Sequence, residues 1–239
     1  MQNIEQLTAL AEKIAADHKA ESVSKSMRPK QLNLEDNHQA LKKAYLSTNE
    51  ELKSSGNIIP AAEWLLDNYY VIEEQYKEIQ YSIKDLYNRL PILSGGKYKG
   101  FPRIYGITSE LVKFLEAKIE EETISVFLKA YQEHLPLISK ELWAFPTILR
   151  ASLLEHIKEI SDYITETLHL RKKADIWADR LLDALRTSME DKNNKEQFRN
   201  VVLEHDSQFR TMKPAYVERL LHRLREYGTD SAPIIRWID

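Results

Sequence analysis

The chain has 239 residues, 30% of them charged and 43% apolar, and a formal net charge of −3. That length suits one large or two small domains with a core burying roughly 70–75% of the unfolded surface, and the near-balanced charge argues against a nucleic-acid partner. The absence of cysteine excludes disulfides, thiol nucleophiles and cysteine-ligated zinc, and the opening MQNIEQLTALAEKIAADH has neither the basic start nor the unbroken apolar run of a signal peptide.

Six glycines and eight prolines are few for this length, and strand-like alternation is almost absent, so the chain reads as helices separated by short breaks. Residues 2–19 form a first helix with Ile4, Leu7, Leu10, Ala11 and Ile14 on one face. Residues 20–33 are polar, carry Pro29 and read as a linker. A second helix over about 34–54 stops at Ser54-Ser55-Gly56. Pro60 marks the start of a third, about 60–83, which carries Trp64, Leu65, Val71, Ile72 and Ile79. A short piece, 84–90, precedes Pro91 and the glycine-rich loop SGGKYKGFPR. Helices follow at about 103–118, 121–134 and 139–168, with Pro146 expected to kink the last of these. Four more are expected at 171–190, 194–210, 214–227 and 231–239, with Gly228 as a C-cap and Pro233 in the first turn of the last. No run reaches the ~20 apolar residues of a membrane helix. The chain ends at Arg236-Trp237-Ile238-Asp239, inside a helical pattern, so it is expected to be a piece of a larger one.

Several constellations have the residue types of a site. Glu35-x-x-His38 and Glu166-x-x-His169 each place Glu and His on one helix face, as a four-helix di-metal site requires, but ExxH is common by chance in a chain rich in Glu and the solvated-surface reading is the stronger. The loop Ser94–Arg103 leads into a helix and carries Lys97, Lys99 and Arg103, yet it lacks Walker A spacing and no strand precedes it. A turn between helices is the stronger reading, a phosphate or headgroup contact the weaker. Glu63, Trp64, Asp67, Asn68, Tyr69 and Tyr70 form an acidic-aromatic run, and ADIWADRLL repeats the theme with Asp175, Trp177, Asp179 and Arg180. Aromatic rings beside carboxylates suit sugar recognition. Trp64, at apolar spacing with Leu65 and Val71, reads more readily as core, in which case Trp64→Ala would cost ~3–5 kcal/mol. Trp143 and Trp237 read as packing anchors.

Five phrases in order, PAAEWLLDNYYVIEEQ (60–75), LPILSGGKYKGFPRIYGITSEL (90–111), FLKAYQEHLPLISKELWAFPTILRASLLE (127–155), RKKADIWADRLL (171–182) and YVERLLHRLREYG (216–228), resemble the N-terminal region of cyclic β-1,2-glucan synthases. The resemblance covers nearly the whole chain and is strongest from 60 to 182. It implies a large bacterial inner-membrane enzyme that draws on UDP-glucose, builds a β-1,2-linked glucan on itself, cyclises it and carries a phosphorylase-like C-terminal region. The present chain would correspond to the helical region ahead of the transferase module. The family's catalytic and nucleotide-sugar residues lie outside this stretch, so no catalytic, cofactor or metal residue is carried over.

The expected fold is all-α, a multi-helix bundle or irregular antiparallel array of about ten helices. Residues 1–30 are a loosely attached helix and linker, and 31–239 a helical accessory domain. The expected function is non-catalytic support of glucan synthesis, in the cytoplasm at the inner face of the membrane, with the transferase module and β-1,2-glucan as partners. A free-standing protein-binding adaptor is the alternative, and a metal enzyme built on the two ExxH pairs a third. Candidate glucan or docking contacts are Trp64, Tyr69, Tyr105 and Trp143 by stacking, and Glu63, Asp67, Arg103 and Asp179 by hydrogen bonding. For each taken singly, a place in the core is the stronger reading.

Overall fold

A computed structural model of the chain describes residues 2–21, 28–55, 59–190, 195–208, 213–228, 231, 232, 234 and 235. Among them are eight α-helices: α1 (Gln2–Asp17), α2 (Leu34–Ser55), α3 (Pro60–Leu86), α4 (Arg103–Phe114), α5 (Glu121–His134), α6 (Ser139–Glu190), α7 (Lys195–Gln208) and α8 (Pro214–Glu226). Two strands of two residues each, β1 (Ala20–Glu21) and β2 (Ile92–Leu93), pair antiparallel, with Ala20 opposite Leu93. The chain is therefore all-α.

The expectation of about ten helices is corrected to eight among the described residues. The two helices expected at 139–168 and 171–190 are one, because Leu168-His169-Leu170-Arg171 contains nothing that stops a helix. Pro146 lies inside α6 without ending it. The short piece expected at 84–90 is the end of α3 plus a 3-10 turn, Tyr87–Arg89. Most of the helix expected at 231–239, with Pro233 and Trp237, lies outside the described residues. The punctuation was legible elsewhere: Pro60 opens α3, and Gly228, at φ 96°, follows the end of α8.

The helices fall into two compact units. The first comprises Met1–Leu46 and Pro60–Asp162, the second Ser47–Ile59 and Tyr163–Asp239. In the first, α1 packs along α5 and contributes Leu7, Ala11 and Ile14 to a core shared with Ile104, Ile107 and Leu111 of α4 and Phe127 and Tyr131 of α5. The glycine-rich stretch closes this core from one side as a tight turn. Gly96 and Gly100 have φ of 75° and 86°, which glycine adopts without the cost a side chain would bring. The Gly100 N–H donates to the Leu93 carbonyl and the Leu93 N–H to the Phe101 carbonyl, at 2.8 and 2.9 Å. β1 ties on to the same segment, so part of the expected linker is paired.

A polar network runs through this core. Nδ1 of His18 lies 3.0 Å from the Tyr131 hydroxyl, and that hydroxyl also interacts with the Arg103 guanidinium, itself paired with Glu141. Burial, and then the charge of Arg103, pull the His18 imidazole down to about 4, against the opposing pull of Asp17 and Glu110. The unfolded chain binds this proton near pH 6.5 and the folded chain does not. The His18 contribution to stability is therefore complete above pH 6.5 and declines as pH falls towards 4. Thermal unfolding followed by circular dichroism should show the melting temperature dropping across that window, and His18→Gln should flatten the drop. An identical slope in the variant would assign the acid sensitivity elsewhere.

The second unit gathers the C-terminal parts of α2 and α6 with α7 and α8. Trp177, Leu181 and Leu185 of α6 meet Tyr216, Leu220 and Leu224 of α8 in its core. Arg219 forks onto Asp175 at 2.8 and 3.1 Å, and Arg223 reaches Asp179 at 2.5 Å. Both pairs span 44 residues, so α6 and α8 run in the same sense, as two helices either side of a reversing α7 must.

Candidate functional site

The richest arrangement of site-type residues lies on α2 and α3, in the first unit. The helix α3 buries a narrow stripe, Leu65, Ile72, Tyr76 and Ile79, spaced seven, four and three apart as one face of a helix requires. Glu63, Trp64, Asp67, Tyr70, Val71, Glu74, Glu78 and Tyr81 turn outwards. Trp64 is thus 49% exposed, and its reading as core is corrected. It sits one residue, or 100°, away from Leu65, beyond the edge of the buried stripe. Trp143, read as a packing anchor, is 79% exposed, while its neighbours Ala144, Phe145 and Ile148 do the packing. Both positions should tolerate truncation. Trp64→Ala and Trp143→Ala are expected to change the unfolding free energy by about 1 kcal/mol or less, well below a core tryptophan. Urea titration of the two variants measures this directly.

The other candidate residues are dispersed. Tyr69 lies on α3 beside the outward face, half-buried. Arg103 and Tyr105 are buried at the start of α4, engaged by Glu141 and by the Glu155 carboxylate, the latter at 2.7 Å. Asp179 belongs to the second unit and is held by Arg223. Glu63, Trp64, Asp67 and Tyr69 fall within two turns of α3, and Arg103 and Tyr105 within the first turn of α4, in each case because they are near one another in sequence.

What the sequence did not reveal is what α2 adds. The Tyr45 ring stacks on Tyr69 at 4.2 Å and 16°, and the His38 ring on Tyr76 at 3.9 Å and 6°. Glu73 accepts a hydrogen bond from the Tyr69 hydroxyl at 2.6 Å, and Nε2 of His38 lies 2.6 Å from the same oxygen. Glu35 accepts from the Tyr76 hydroxyl and from Gln39. These bonds have a consistent electrostatic result. The Tyr69 and His38 contacts hold the Glu73 carboxyl below its ordinary range, and the Tyr76 hydroxyl does the same for Glu35. The Tyr76 phenol is pushed up to about 12, chiefly by its bond to Glu35. The carboxylates therefore stay ionised and the phenols protonated across the physiological range. A group tuned away from neutral pH in this way is a poor general acid or base. The arrangement can accept and donate hydrogen bonds, and that is recognition chemistry.

Between α2 and α3 this network lines an open cleft of ≈ 680 Å³, with Tyr45, Leu66, Tyr69, Tyr70, Glu73, Glu74, Lys77 and Glu78 at its surface. A signal for it existed in the i, i+4 ladders Tyr69–Glu73–Lys77 and Tyr70–Glu74–Glu78. A second cleft, ≈ 420 Å³, lies where the glycine-rich loop meets α1, beside Ile14, His18, Lys97 and Tyr98. There Glu110 takes both the Lys97 ammonium and the Tyr98 hydroxyl, at 2.6 and 2.7 Å, so the cation an anionic ligand would need is already matched.

The ExxH pairs lie in different units. Glu35 and His38 are absorbed into the α2–α3 network, and Glu166 pairs with Lys213. Among the described residues no three His, Asp or Glu side chains converge as metal ligands would.

Fold and site together define an all-α chain with a polar, aromatic cleft on its first unit. No family model matches it. Among curated proteins it is similar to the cyclic beta-(1,2)-glucan synthase NdvB of Rhizobium meliloti (strain 1021), with 30% identity over 205 residues. The similarity takes in 85% of this chain but only 7% of the length of that synthase.

Proposed function

We propose that this chain is a non-catalytic helical module that supports synthesis of a β-1,2-linked glucan by a transferase module outside it. The observation that carries the reading is the 30% identity spread over 85% of the chain, which joins both helical units to one stretch of a glucan synthase. Two features of the structure support it. In the α2–α3 cleft the Tyr69 and His38 contacts hold the Glu73 carboxyl below its ordinary range, and burial and Glu73 push the Tyr69 phenol up, both away from the values that proton transfer needs. No helix among the described residues is long and apolar enough to cross a membrane.

Docking on that partner has a visible surface in Ile138, Leu142 and Trp143, exposed by 47, 40 and 79% around the first turn of α6. Exposed apolar side chains so grouped suit protein contact. The same patch is what a free-standing adaptor would use, and one experiment separates the two readings. Membranes carrying a glucan synthase from which the matching segment has been deleted are supplied with UDP-glucose, with and without this chain. Restored glucan formation with the chain, and none from the chain alone, is the expected result. Trp143→Ala should weaken the restoration several-fold while leaving the fold intact. Full synthesis without the segment would remove the accessory role and leave the adaptor reading.

A further inference from the structure

We propose that the cleft between α2 and α3 binds a neutral chain of β-linked glucose units, with Tyr70, Glu74 and Lys77 as its principal contacts. The choice of glucose rests on the reading above, whereas the class of ligand follows from the cleft itself.

The charge of the cleft decides first. Glu73, Glu74 and Glu78 repel any anion, so phosphates and nucleic acids are excluded. A cation is also disfavoured. The Glu73 carboxylate is satisfied by Tyr69 and His38, Glu78 is paired with Arg150 at 2.7 Å, and Lys77 stands in the same wall. Facing outwards are the Glu74 carboxylate and the Lys77 ammonium, an acceptor and a donor of opposite charge, beside Glu78 with its Arg150 partner. Such a pair suits a ligand that is uncharged and rich in hydroxyls, each of which donates and accepts.

The rings decide next. Tyr70 stands at the cleft with 71% of its surface open, far more than its own packing needs. The stacked Tyr45–Tyr69 pair lines the cleft beside it. A β-linked glucose has its substituents equatorial, so each unit offers two flat C–H faces edged by hydroxyls. Faces of that kind lie on aromatic rings while the edge hydroxyls reach the flanking polar groups. The cleft is open to solvent, and a small apolar ligand would find too little enclosure there.

The test uses the whole chain and linear β-1,2-linked glucose oligomers, by calorimetry and by shifts of the tyrosine ring resonances. Saturable binding is expected, with a loss of at least about ten-fold in Tyr70→Ala. A second variant, Glu74→Gln with Lys77→Met, should weaken binding comparably without touching the buried stripe of α3. Circular dichroism checks that both variants fold. Absence of saturable binding, or binding indifferent to both variants, overturns the proposal. Preferential binding of tetramethylammonium would also overturn it and make the cleft a cation site. The two proposals fail separately. A chain that restores the truncated synthase but binds no oligomer sinks the cleft alone, and one that binds oligomer but restores nothing sinks the accessory role alone.

Discussion

Glu141→Ala is expected to destabilise the first unit by about 3–5 kcal/mol, the range for removing one partner of a buried ion pair. Glu141 is fully buried and Arg103 is 4% exposed. The carboxylate accepts from Nε of Arg103 at 2.9 Å and from a terminal guanidinium nitrogen at 2.5 Å, a two-pronged pairing that fixes the side chain. It also accepts from the Ile138 N–H at 3.0 Å, capping an otherwise orphaned donor at the start of α6. Burial works against the charge on Arg103, but the hydrogen bond and charge of Glu141 outweigh it and leave the guanidinium pKa raised. Without Glu141 the guanidinium stays buried and charged, with the Pro136 carbonyl and Tyr131 as its remaining polar neighbours. Glu141→Gln, which keeps the shape and loses the charge, should cost less. The double change Arg103→Met with Glu141→Leu should recover much of the loss, because it removes the stranded charge. Urea unfolding of the three variants reads all of this. A double variant no better than Glu141→Ala would show that shape, and not charge, holds this corner together.

That pair also shows where sequence reading stops. Arg103 was visible as a cation at a helix start, which suggested an anion site. Its partner stands 38 residues away on another helix, and nothing local names it. Tyr105 and Glu155, 50 residues apart, make the same point. Features fixed within one or two helical turns were legible: the helix start at Pro60 and the apolar face of α1 at Leu7, Ala11 and Ile14. Trp64 failed for a different reason. Spacing gives the direction of a buried stripe but not its width, and the stripe on α3 is narrow enough to leave Trp64 and Val71 outside. β1 was missed because two residues cannot show a period. The carbohydrate-type run 63–70 was seen, but the ring that Tyr45 supplies depends on α2 packing against α3. The resemblance to a glucan synthase survived these errors because it rests on ordered phrases along the chain, and identity over 85% of it is insensitive to which side chain is buried.

In the second unit the expected result is a loss of about 3–5 kcal/mol in Trp177→Ala, the range for truncating a buried tryptophan. Trp177 is 6% exposed. Its ring meets His205 of α7 edge-on at 5.1 Å, and His205 lies 2.8 Å from the Tyr216 hydroxyl of α8. One side chain of α6 therefore joins α7 and α8. The Arg180 guanidinium covers the ring at 4.3 Å while forking onto Glu204 of α7, a cation–π contact worth about 0.5–1 kcal/mol. Much of the remaining core is alanine and leucine, Ala174, Ala178, Leu181 and Leu185, and shortening Trp177 leaves a void they are too short to fill. The ion pairs to Arg219 and Arg223 are partly exposed and offset little of that loss. Hydrogen exchange distinguishes this account from general destabilisation. Amides of α7 and α8 should lose protection in Trp177→Ala, while those of α4 and α5, packed around a separate set of side chains, should change far less. Protection retained in α7 and α8 would mean that the leucine contacts between α6 and α8 suffice, and that Trp177 is a contributor to this unit and not its keystone.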